Sequence, residues 1–293
     1  MKMYFKNGLS FIISLISMFL ILILSSSLFL DKIILNEKTY TNIFEKEKIY
    51  EQVEAYINEN ISYLLLSNNI PEDTLEGIIS QKEIKNIFYD YIDNTIEFMK
   101  NEADKIELLD TSIYKERINE KISDFLRENK MYLGSEFNDN IEEFKGTIIN
   151  IIKNSFEIIN LNILSNSSTV KRICKIISFV TGNMFLGILI VGLIIVNGLQ
   201  FIVWKKDNKV KKYLWIGYPF MSSGMIMFLI GFSGYLSGFY KNIPIGIVYL
   251  KNGMIAIMEK YLLSFANMGL VSIFIGILFI IRYWKYLFKS YLI

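Results

Sequence analysis

Residues 217–238 read "GYPFMSSGMIMFLIGFSGYLSG". Gly217, Gly224, Gly231 and Gly238 recur every seventh position in a run otherwise rich in Met, Ile and Phe. The run carries no charge and is long enough to cross about 30 Å of hydrocarbon as a helix, which takes about 20 apolar residues. Pro219 is best tolerated in the first turn of a helix, so the helix is expected to start near Tyr218, with Gly217 in its approach. Gly224, Gly231, Gly234 and Gly238 then fall within an arc of about 80°, one stripe of one helix. Hydrophobic gain between helices is small in lipid, so close backbone approach through small residues takes its place. Gly269, Ser272 and Gly276 form a second small-residue stripe further along the chain. The expectation is a packing seam between the two segments, or between protomers. A spacing of seven suits helices crossing at about +20°. A sliding or gating surface is the alternative.

Three more uncharged runs match in length: 9–30, about 178–204 and about 261–281, with the third span at about 215–239. The first follows Lys2 and Lys6, as a secretory signal would. It is longer than an apolar signal core of about 7–15 residues and lacks a small-residue cleavage site, so a retained anchor is expected. The charges are segregated. Residues 31–173 hold 27 Asp and Glu against 17 Lys and Arg; the rest of the chain holds 2 against 14. Short cytoplasmic loops collect Lys and Arg. Lys2 and Lys6, "KKDNKVKK" at 205–212, and Arg282, Lys285 and Lys289 therefore belong on one side. Four spans allow this with both termini inside. Trp204, Trp215 and Trp284 fall at the inner boundaries.

The expected class is thus an all-α polytopic membrane protein of the plasma membrane. Residues 1–31 form a cytoplasmic tip and first span. Residues 32–172 form a helical extracytoplasmic domain. Residues 173–293 form three spans, with an apolar outer loop at 240–260 and a cytoplasmic C-terminus. Within that loop, 242–260 reads as an interfacial amphipathic segment, with a re-entrant loop as the alternative.

The polar block repeats apolar residues every three to four positions. The sets are Ile49/Tyr50, Val53, Tyr56/Ile57, Ile61 and Leu64/Leu65; Ile84, Ile87/Phe88, Tyr91/Ile92 and Thr95/Ile96; Tyr114, Ile118, Ile122 and Phe125; and Phe137, Ile141, Phe144, Ile148, Ile151/Ile152 and Phe156. Four or five packed helices are expected. Pro71 suits the first turn of a short helix. "SQKE" at 80–83 has capping-box spacing. Turns are marked at 132–135 and 165–169.

Chemistry is sparse. There is no His and one Cys, Cys174. The commonest general base and metal ligand is therefore missing, and no internal disulfide forms. No phosphate-binding loop, nucleophile elbow or zinc motif is present. The stripe Glu116, Glu120, Asp124 reads as a solvated face balanced by Lys115, Lys121 and Arg127, and Asp90, Asp93 and Glu97 read the same way. Cys174, beside Lys171, Arg172 and Lys175, reads as structural. No catalytic residue, cofactor or metal is expected. The middles of the spans hold no ionisable group, which argues against ion-coupled transport. Asn183, Asn197 and Asn267 remain, with Ser233. Asn183, Ser233 and Asn267 are expected at similar depth, as interhelical glue or as a small polar vestibule.

One anchor, a large outside domain and three closely spaced spans resemble the layout of cell-division and macrolide-export ABC permeases. The likeness is one of layout, so no residue role carries over. "TYTNIFEKEKIYEQVEAYINENI" (39–61) and "PEDTLEGIISQKEIKNIFYDYIDNTIEFM" (71–99) resemble a group of uncharacterised bacterial membrane proteins, which implies no activity. The expected function is a non-enzymatic scaffold, sensor or accessory subunit; a permease-like component working with a separate ATPase is the alternative. The expected partners are the lipid bilayer, a membrane or envelope protein, or a second copy of the chain. No nucleic acid is expected.

Overall fold

A computed structural model describes residues 2–106, 109–129, 135–156, 165–205 and 210–291. Residues 132–134 of an expected turn and 206–209 of the basic loop lie outside these, as do the side chains of Lys2, Phe137 and Lys289. The described residues are helical, with no strand among them. The helices are α1 (Lys2–Phe29), α2 (Glu37–Lys46), α3 (Ile49–Ser67), α4 (Gln81–Met99), α5 (Ser112–Glu128), α6 (Ser135–Phe156), α7 (Ser168–Thr181), α8 (Asn183–Val203), α9 (Lys211–Ser237) and α10 (Val248–Tyr291). The chain divides into two compact units: 1–36 with 176–246 and 254–293, and 37–175 with 247–253.

Four helices are long and apolar enough to cross a membrane: Met3–Ile34, Asn183–Val203, Lys211–Ser237 and Val248–Phe288; all but the start of the last belong to the first unit. A π-helical turn, Leu30–Ile34, extends α1. Outward-facing Phe11, Ile12, Phe19 and Ile23 on α1, and Ile194, Ile195 and Ile202 on α8, are exposed. Such a surface is costly in water and suited to lipid.

The second unit is built on α3. Ile49, Val53, Ile57, Ile61 and Leu65 are buried with Ile84 and Phe88 of α4, Ile118 and Ile122 of α5, and Ile148 and Ile152 of α6. These are the helical repeats of the sequence, turned inward. Pro71 immediately precedes the 3₁₀ turn Glu72–Leu75. Ser80 caps α4: its hydroxyl accepts from the Glu83 N–H at 3.3 Å, and Glu83 Oε2 accepts from the Ser80 N–H at 2.9 Å. The cap also ties α5 to α4, because Arg117 Nη2 lies 2.7 Å from Glu83 Oε1. Arg117 donates to the Ile78 carbonyl at 2.9 Å as well.

The Arg117 guanidinium, with the Ser80 donors, holds the Glu83 carboxyl down at about 2. A depressed carboxylate stabilises the fold above its unfolded value of about 4.5, and that contribution fades as pH falls toward 2. Part of the pair is solvated, which holds the effect to about 1 kcal/mol. Glu83→Gln should therefore destabilise at pH 7 by about that much and flatten the acid limb of the melting profile between roughly pH 5 and 2.

Residues 247–253 complete the core of the second unit. Tyr249 is 2% exposed, its ring 5.3 Å from that of Tyr56, and its hydroxyl donates to the Ser155 carbonyl at 2.8 Å. Asn252 Nδ2 donates to Gln52 Oε1 at 3.0 Å. The segment is apolar because it covers α3 and α6. From Val248 the helix runs on without interruption as α10, 44 residues long, about twice what a bilayer needs.

Candidate functional site

The small-residue stripes of α9 and α10 meet in antiparallel register. A Cβ added at Gly217 would lie 2.9 Å from the Gly276 carbonyl oxygen; at Gly224, 2.6 Å from that of Gly269; at Gly231, 2.5 Å from that of Leu262. Seen from the other side, a Cβ at Gly269 would lie 2.5 Å from the Phe228 nitrogen, and one at Gly276 2.8 Å from the Gly217 oxygen. Ser272 donates to the Phe220 carbonyl at 2.8 Å and lies 3.3 Å from the Ser223 hydroxyl. Gly234 faces only the Leu262 side chain. Gly238 is not in the seam. It caps α9 in the left-handed region at φ 62°, where glycine is favoured.

Gly217 belongs to the seam, contrary to the expectation that it precedes the helix. Helix α9 starts at Lys211, and Pro219 lies inside it. Proline has no N–H, so the carbonyl four residues back, that of Trp215, loses its helical donor. The Ser14 hydroxyl of α1 donates to that oxygen at 2.7 Å. A carbonyl left without its helical donor is thereby satisfied from a neighbouring helix.

Ser14 belongs to a larger polar seam. Ser10, Ser14 and Ser17 are buried at helical spacing along α1. They face Asn197 and Gln200 of α8 and Trp204, which follows that helix directly. Trp204 Nε1 donates to Ser10 Oγ at 2.9 Å, Gln200 Nε2 to the Ser10 carbonyl at 2.9 Å, and Ser17 Oγ to Asn197 Oδ1 at 3.3 Å. Every donor and acceptor is neutral.

The expected layer of Asn183, Ser233 and Asn267 is not assembled: no hydrogen bond joins the three. Gly182 adopts an extended ψ of 141° and breaks the chain between α7 and α8. Asn183 is therefore the first residue of its span and exposed, not a turn inside it. The Ser233 hydroxyl donates to the Leu229 carbonyl of its own helix. Asn267 is exposed and lines an apolar groove of about 480 Å³ with Leu24, Leu193, Phe220 and Met268. Asn197, singled out by its type, does join a polar contact. Ser10, Ser14, Ser17 and Gln200 were missed, although the 10–14–17 spacing in an apolar run was the signal.

Ser14→Ala should cost about 1–3 kcal/mol by orphaning the Trp215 carbonyl. In a Pro219→Ala background residue 219 regains its N–H and the cost should shrink toward zero. Unfolding in detergent of the two single variants and the double variant measures this coupling.

The second unit offers no reactive centre among its described residues. No group of three or more His, Cys, Asp or Glu could hold a metal ion among the described residues of the chain. Asp124 pairs with Arg127 at 2.9 Å, and Lys121 donates to the Glu76 carbonyl at 2.6 Å. Cys174 is buried against Phe98 and Ile106, and burial raises its thiol pKa, away from reactivity.

Comparison with known proteins finds no matching family model, no matching curated protein and no matching solved structure.

Proposed function

We propose that this chain is a four-span plasma-membrane protein with both termini cytoplasmic and residues 32–172 outside. In this reading it is a non-enzymatic scaffold, sensor or accessory subunit whose helical outer domain contacts a membrane or envelope protein. The observation that carries the reading is the contrast between the two units. The first is joined by glycine contacts and neutral hydrogen bonds, the chemistry that substitutes for hydrophobic gain in lipid. The second is an ordinary apolar core under a charged surface, with no cluster able to hold a metal among its described residues. Purification from native membranes in mild detergent tests the reading. A stoichiometric envelope or membrane protein is expected. A stoichiometric nucleotide-binding ATPase would replace the scaffold with a transport component.

A further inference from the structure

One end of the first unit gathers three cations that pair with no Asp or Glu among the described residues. Helix α9 begins with Lys211 and Lys212, and its N-terminus has no side-chain cap. Lys212 Nζ lies 4.2 Å from the Phe201 ring centre and 5.2 Å from that of Tyr213. Arg282 of α10 lies 5.2 Å from the same Tyr213 ring, which stacks on Tyr286 at 5.9 Å and 9°. Lys211 Nζ lies 5.2 Å from the Trp204 ring. Two cations thus share one aromatic ring, with a third on the preceding residue. No ion pair to any of the three is present among the described residues. Both lysines are half-buried. Aromatic faces stabilise each cation singly but do nothing for their mutual repulsion. An anion seated among them does, and an uncapped helix N-terminus adds free N–H donors of the right polarity.

The same face of α9 leads from this cluster into an apolar groove. Lys211, Trp215, Tyr218 and Ser222 follow one another at helical spacing, within one stripe. Trp215, Tyr218 and Ser222, with Phe11 and Leu15 of α1 and Ile280 of α10, line a groove of about 680 Å³. Cations gathered about one helical turn from an apolar groove match one ligand chemistry, an anionic head joined to a hydrocarbon tail.

We propose that this end of the four-helix unit binds one anionic phospholipid. Its phosphate sits on Lys211, Lys212 and Arg282, and an acyl chain lies in the groove past Trp215. The inference rests on the membrane reading but not on the nature of the protein partner. Each basic residue contributes about fivefold in affinity.

The test is native mass spectrometry of the detergent-purified full chain, titrated with phosphatidylglycerol or phosphatidylcholine of identical acyl chains. The wild type should take up phosphatidylglycerol at least tenfold more tightly. The combined Lys211→Gln, Lys212→Gln and Arg282→Gln variant should bind both lipids alike. Ser222→Trp, which fills the groove and keeps the cations, should weaken both. If the triple variant does not fold, the three single variants should each lower the preference about fivefold. Equal uptake of the two lipids by the wild type overturns the proposal, as does a preference that survives loss of all three cations. Displacement of phosphatidylglycerol by millimolar inorganic phosphate would also overturn it, because the tail would then contribute nothing. Recovery of the chain in the soluble fraction after carbonate washing would instead refute the membrane reading, whatever lipid is bound.

Discussion

Gly224→Ala is expected to lower the stability of the detergent-solubilised protein by about 2–3 kcal/mol, whereas Gly187→Ala should leave it unchanged or raise it slightly. Replacing glycine with alanine inside a helix is intrinsically favourable by about 1 kcal/mol. That gain applies at Gly187 of α8, where an added Cβ meets open space. At Gly224 the methyl would sit 2.6 Å from the Gly269 oxygen and 2.7 Å from the Ile273 nitrogen, both backbone atoms. Backbone cannot swing aside as a side chain does, so α9 and α10 must move apart and lose the contacts on either side. Gly231→Leu should be worse, since its Cβ alone would lie 2.5 Å from the Leu262 oxygen. Thermal or denaturant unfolding of the three variants in one detergent gives the comparison. A Gly224→Ala protein as stable as Gly187→Ala would mean that the seam is not a close contact.

Tyr249→Ala should cost about 3–5 kcal/mol in the second unit, although the residue lies in the first turn of the long apolar helix α10. The variant empties a site among Tyr56, Ile49 and their neighbours and leaves the Ser155 carbonyl, near the end of α6, without its donor. Tyr249→Phe separates the two effects: it keeps the ring and should cost about 1–2 kcal/mol. Hydrogen exchange of α3 and α6 amides reads the result locally. Loss of protection there on Tyr249→Ala is the expected outcome. Unchanged protection would mean that the second unit folds without this segment.

The architecture was legible where a single period carries the information. The three- to four-residue repeats of α3 to α6 reappear as buried faces, and the spacing of seven gives the face of α9 that meets α10. What escaped was set by contacts distant in sequence. Pro219 pointed to a helix start because a missing N–H usually needs a helix end. Nothing local to 211–219 reveals that Ser14, some two hundred positions away, supplies the missing donor. The segment 247–253 is apolar, and hydropathy cannot say whether such a stretch covers lipid or protein. Tyr249 settles the matter only when α3 and α6 are beside it. Asn183 was misplaced by one break: Gly182 ends the preceding helix, which moves the expected polar layer to the end of a span. Gln200, flanked by long apolar side chains, was not singled out, yet it is among the most buried side chains of α8.

In the proposed topology the apolar unit crosses a membrane and the acidic unit lies outside it. Labelling of single cysteines in intact cells tests this most directly. In a Cys174→Ser background, Asp73→Cys and Glu128→Cys should react with a membrane-impermeant maleimide. Lys205→Cys and Lys285→Cys should react only after permeabilisation. Labelling of position 205 or 285 in sealed cells, or protection of positions 73 and 128, would contradict the account.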